Sequence, residues 1–98
     1  MAKHELQTVT NADPQEITAG DVTHISVQNR SRSMGQDLML FASVDGSAPS
    51  EGAASVILPP GQLFVNEALV DLFPGVSGAN RVFAQSEYGK LTALVSHA

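Results

Sequence analysis

Short runs of alternating apolar and polar residues recur along this chain, and the clearest spans Gln36 to Val44. Leu38, Leu40, Ala42 and Val44 alternate there with Asp37, Met39, Phe41 and Ser43, so a strand places the two sets on opposite faces. The first face is wholly apolar. The second is mixed, and its Met39 and Phe41 call for a second apolar surface, either within the domain or on a partner. Val22 to Asn29 is rich in β-branched residues and sets Ile25 and Val27 on one face. Arg81 to Ser86 sets Val82 and Ala84 against Phe83, and Leu91 to His97 lines up Leu91, Ala93 and Val95 as an inner face. Leu40 and Val95 are expected in the core. A shorter candidate, Gln15 to Ala19, follows the Asp13-Pro14 turn signal and is closed by Gly20-Asp21.

The longest apolar-rich stretch is Ala54 to Gly75. Ser55 to Leu58 reads as a buried strand. Pro59-Pro60-Gly61 stops it, because two prolines fix φ and supply no N–H donor. Gln62 to Val65 begins another strand. Asn66 is expected to cap a short helix near residues 67–73, with Leu69, Leu72 and Phe73 on one face and Pro74-Gly75 as its end.

The segments between these runs are turn-forming. Arg30 to Gly35 reads as an exposed polar loop, 45–53 as the most tolerant loop, and Glu87-Tyr88-Gly89-Lys90 as a hairpin turn carrying an aromatic. Residues 1–12 are polar, with a weak alternation at Leu6 and Val9, and read as an N-terminal arm or an edge strand. A frayed arm, dispensable for folding, is the expectation. Residues 13–98 then form a single β domain. The pattern predicts an all-β fold, a small antiparallel β-sandwich or barrel with one short helix near 67–73. No strand–long-helix alternation marks a parallel α/β fold.

Composition narrows the function classes. Ninety-eight residues suit one modest core. Charged residues make up 15%, well under the usual figure of about 25%. A neutral surface of this kind fits a protein covered by partners, and equally a plain β domain. The net charge is −5 without a basic cluster beyond Arg30 and Arg32, so neither nucleic acid nor a membrane surface is an expected partner. Cysteine is absent, which removes disulfides and thiolate metal sites. The first ten residues lack the apolar core of a signal peptide, and no run of about 18 apolar residues occurs.

The search for chemistry is largely negative. His4, His24 and His97 have no metal-ligand spacing. Gly75-Val76-Ser77-Gly78 falls one residue short of a nucleophile elbow. Asp37, Asp45 and Glu51 could supply paired carboxylates, but nothing in the sequence sets a separation. Asp45-Gly46-Ser47 lacks the acidic density of a calcium loop. No catalytic residue, metal or cofactor is expected, and the chain reads as not an enzyme. Arg81 is a candidate partner of Asp71 or Glu67. The residues singled out as protein contacts are Met39, Phe41 and Tyr88, the last because tyrosine joins apolar area to a polar end.

The layout resembles the small β-rich accessory proteins of tailed-bacteriophage virions, of the head-decoration or cement type. The resemblance is carried by Ile25-Ser26-Val27-Gln28-Asn29-Arg30-Ser31, the Leu58-Pro59-Pro60-Gly61 turn, Asp71-Leu72-Phe73-Pro74-Gly75-Val76 and the closing Leu94-Val95-Ser96-His97-Ala98. The helical insert at Asp71 to Val76 departs from the simplest members. The resemblance implies a non-enzymatic structural protein located in the virion and assembled in the bacterial host cytoplasm. Its partners would be the major capsid protein or other virion proteins, and it would be a homo-oligomer with a trimer favoured. A component of the head–tail junction or tail, or a glycan-binding β module, are the alternatives. Against the glycan reading, the chain has no tryptophan and a single tyrosine to stack on a sugar.

Overall fold

A computed structural model describes all residues 1–98. The strands, in chain order, are β1 (Lys3–Val9), β2 (Gln15–Glu16), β3 (His24–Asn29), β4 (Leu38–Ser43), β5 (Val56–Leu58), β6 (Leu63–Ala68), β7 (Arg81–Ser86) and β8 (Leu91–His97), with a one-turn helix α1 (Leu69–Leu72) after β6. They form two antiparallel sheets of four strands: sheet A in the order β1-β8-β3-β6, and sheet B in the order β2-β7-β4-β5. The expected all-β sandwich with one short helix is the observed fold.

The pairing has a simple origin. β1 pairs with β8, β2 with β7, β3 with β6 and β4 with β5. Those are the partners of one long hairpin whose tip is the β4–β5 loop. Winding that ribbon so that successive pairs fall in alternate sheets adds the contacts β3·β8 and β4·β7. The result is a jelly roll, which is two interleaved Greek keys. Connections 10–14, 30–37, 59–62 and 87–90 cluster at one end, and the remaining connections at the other.

Alternation buries one face of every long strand. Ile25, Val27, Leu38, Leu40, Val82, Ala84, Leu91, Ala93 and Val95 belong to a cluster of 15 buried apolar residues between the sheets. Leu69 and Phe73, one helical turn apart, cap it at the helical end.

Several local expectations are corrected. Residues 1–12 are no frayed arm, since all seven residues of β1 pair with β8 and Val9 is fully buried. Lys3 anchors this edge by donating from Nζ to the Ile17 carbonyl (2.8 Å) and to Gln7 Oε1 (2.7 Å). Ser55 to Leu58 is not a buried strand. β5 is a three-residue edge strand, so Ile57 projects outward and is 44% exposed. Val44 lies past the end of β4 and is likewise exposed.

Asn66 does not cap the helix. It lies inside β6 at φ +47°, where an extra residue bulges against β3, and its N–H donates to Ser26 Oγ. Asparagine tolerates this left-handed backbone better than most residues. The residue at the cap position is Ala68, which makes no side-chain cap. Glu87 to Lys90 joins different sheets and is no hairpin turn, because the ribbon crosses over there.

Leu40→Ala is expected to cost about 2–5 kcal/mol and Val95→Ala somewhat less, through lost transfer energy and an unfilled cavity. Urea denaturation midpoints check this. Deleting residues 2–11 removes an entire ladder and a core valine. It is expected to abolish the cooperative thermal transition, or to lower its midpoint by more than about 10 °C, as followed by circular dichroism.

Candidate functional site

Sheet B turns three apolar side chains outward from its two central strands. Phe41 lies directly opposite Phe83 across the β4·β7 ladder, and Met39 opposite Gln85. Phe41 and Phe83 are nevertheless buried. The long β4–β5 connection folds back over this face. Pro49 to Ala53, together with Ala12 to Pro14 from the β1–β2 connection, wall a groove of about 480 Å³ whose floor includes Met39 and Phe41. The charged residues on its walls are Asp13 and Glu51, both acidic and exposed. Gln85 fixes one wall by donating to the carbonyls of Asn11 and Ala12.

The overlying connection is fixed at its root. Arg81 Nε donates to Asp21 Oδ1 (2.7 Å) and Nη1 to Glu16 Oε1 (3.3 Å). The hydrogen bond to Asp21 raises the Arg81 pKa above its ordinary value; desolvation opposes it and Glu16 adds to it. Gly46 packs over this pair at φ +85°, and a Cβ there would lie 3.4 Å from both Arg81 Nη1 and Glu16 Oε1. Beside it, Asp45 N–H donates to Asn80 Oδ1 and Asn80 Nδ2 returns a bond to Asp45 Oδ1. The expected partners Asp71 and Glu67 are not used. They belong to α1 and β6, at the margin of sheet A, whereas Arg81 opens a strand of sheet B.

Of the three contact residues singled out from sequence, Met39 and Phe41 come together in the groove. Tyr88 stands apart on the β7–β8 connection, 61% exposed, with its ring against Gly35. Gly35 belongs to the β3–β4 connection, whose Met34 is 98% exposed. This connection is held from within. Asn29, fully buried, donates from Nδ2 to the carbonyls of Gln36 (2.8 Å) and Leu58 (2.9 Å), and its Oδ1 accepts from Ser31 N–H. Ser31 Oγ donates to Gln36 Oε1 (2.6 Å) and also accepts from Ser33 N–H. The Gln36 amide in turn donates to the Tyr88 and Lys90 carbonyls.

The outer face of sheet A is the surface that the sequence reading missed. Register places His4, Leu6 and Thr8 of β1 beside Ser96, Leu94 and Thr92 of β8, then Ser26 and Gln28 of β3, then Leu63 of β6. None of these residues is Asp, Glu, Lys or Arg. Leu6, Leu94, Gln28 and Leu63 form one continuous row across four strands, with Leu6 and Leu63 exposed. The available signal was the His4-Leu6-Thr8 alternation, but its reading depended on knowing that β1 is a strand at all.

The histidines do not form a site. His4 shares a hydrogen bond with Ser96 Oγ and His24 with Thr23 Oγ1, both at the surface. His97 is buried, and its Nε2 accepts from Ala19 N–H. No group of three or more His, Asp or Glu side chains is placed to hold a metal ion. No helix is long and apolar enough to cross a membrane. Comparison with known protein families, with characterised proteins and with solved structures finds no match.

Asn29→Ala strands two carbonyls and one N–H, and is expected to cost about 2–4 kcal/mol. Asn29→Asp is expected to cost at least as much, since a carboxylate cannot donate to carbonyls. Chemical denaturation of both variants measures this.

Proposed function

We propose that this protein is a non-enzymatic structural component of a tailed-bacteriophage virion. It binds the outer surface of the capsid and stabilises it, with the major capsid protein as partner, and it acts as a homo-oligomer with a trimer favoured. The observation that carries the reading is the outer face of sheet A, where the paired strands carry no Asp, Glu, Lys or Arg and Leu6, Leu94 and Leu63 share one row. A chain of net charge −5 that keeps the paired strands of one sheet face neutral, with Arg30 only at its loop end, can dock across them without desolvating an ion. Repetition over a lattice lets modest individual contacts add up. Jelly rolls serve as viral capsid domains and also as lectins, which supports the reading by architecture alone. The glycan reading has less support, because Tyr88 is the only exposed aromatic and the phenylalanines are buried or half-buried.

Co-sedimentation with empty capsids tests this. The wild type is expected to saturate a fixed number of lattice sites. Leu6→Glu and Leu94→Glu each place an unpaired charge on the docking face, and are expected to weaken attachment at least about tenfold while the melting temperature holds. Asp71→Ala, on the exposed side of α1, is expected to bind as wild type. Binding to purified tails but not to capsids would move the protein to the head–tail junction or tail.

A further inference from the structure

We propose that neighbouring copies associate head to tail, with the β3–β4 connection of one copy seated in the sheet B groove of the next. The proposal rests on the self-association in the preceding reading, but not on the capsid as partner.

Two complementary features of the chain are each left without a partner. The first is the connection Arg30-Ser31-Arg32-Ser33-Met34-Gly35. Lys3 and Arg81 are engaged in ion pairs, whereas Arg30 and Arg32 are exposed and in none. Between them and Gly35 stands Met34, the most exposed large apolar side chain of the molecule at 98%. An exposed methionine at the tip of a floppy loop would mean little. This loop is instead pinned by the buried Asn29 and by Ser31, so its backbone is ordered beforehand and the entropy left to lose is that of the exposed side chains.

The second feature is the groove. Its floor includes Met39 and Phe41, its charged walls are Asp13 and Glu51, and no Lys or Arg lines it. A volume of about 480 Å³ lies within the range of roughly 300–1,000 Å³ usual for occupied pockets. It therefore fits a segment that brings an apolar side chain flanked by cations. Arg30, Arg32 and Met34 supply that chemistry, and methionine adapts well to an irregular apolar floor. None of them lines the groove of its own chain.

The loop stands at one end of the strands, and the groove lies on the outer face of sheet B with its Ala12 to Pro14 wall toward that same end, so the two are different patches of the surface. Made head to tail, the contact is heterologous, and repeating it closes a ring when the rotation divides a full turn. The leucine row of sheet A takes no part and stays free for a lattice.

Light scattering after size-exclusion chromatography of the isolated protein tests the contact. The wild type is expected to run as a closed oligomer. Met34→Asp, and separately the pair Arg30→Glu with Arg32→Glu, are expected to reduce association at least about tenfold with unchanged melting temperature. The reciprocal groove pair, Asp13→Arg with Glu51→Arg, should do the same. Combining both charge reversals in one chain should restore the ring. An equimolar mixture of the Met34→Asp chain and the groove pair retains one intact contact and is expected to give a one-to-one dimer. A monomeric wild type would overturn both this contact and the self-association reading. An oligomer of unchanged mass in all these variants would overturn the contact alone, and capsid binding would remain a separate measurement.

Discussion

The buried Asn29 side chain holds the two sheets together at the loop end. It belongs to β3 of sheet A, yet one amide hydrogen goes to the Leu58 carbonyl at the end of β5 in sheet B and the other to Gln36 just before β4. Its backbone completes the tie, donating to the Gln62 carbonyl and accepting from Gly61 N–H. One residue thus closes the β5–β6 turn, shapes the β3–β4 connection and couples the layers. An apolar side chain of similar size would keep the two backbone bonds but leave the Gln36 and Leu58 carbonyls and the Ser31 N–H without partners. Because they lie in a low-dielectric interior, each bond is strong and each omission costly.

The surface features follow from this closure. With the β3–β4 connection fixed, Arg30, Arg32 and Met34 have nowhere to fold but outward. At the opposite end, the Asp45–Asn80 exchange roots the β4–β5 connection, and its Gly46 packs over the Arg81–Glu16 pair. That root lets a loop of small residues fold back beside Met39 and Phe41 and leave a groove there. The paired strands of sheet A carry no charged side chain on their outer side, and Arg30 stands only at the loop end of that face. The neutral sheet and the acidic groove are separate surfaces with different chemistry.

The strand assignments from alternation succeeded where both flanks were polar or turn-forming. β7 and β8 have the boundaries expected from sequence, and Leu38, Leu40, Ile25, Val27 and Val95 face the core as their spacing required. The weaker assignments were edge elements. β1 carries Lys3, Glu5 and Gln7 on its inward side because that side meets a sandwich margin lined by β2 and not the apolar centre. Its sequence therefore resembles a polar arm. β5 shows the converse: Val56, Ile57 and Leu58 look like a buried run, but an edge strand covered on one face exposes the middle one.

The sequence by itself determined the secondary-structure class and most of the core, because side-chain direction along a strand has period two and needs no knowledge of neighbours. Met39 and Phe41 were legible in the same way, as apolar residues on the wrong side of a strong strand. Only the tertiary structure decided what covers them, since that depends on a loop of Ser, Ala, Pro and Gly whose path no periodicity encodes. It also decided that Tyr88 stands away from them, that Arg81 pairs with Glu16 and Asp21, and that one sheet face is neutral. Each of these is a fact of strand order. Order is set by how the β1–β4 and β5–β8 ribbon winds, and winding brings together residues as distant as Lys3 and His97, which no local pattern connects.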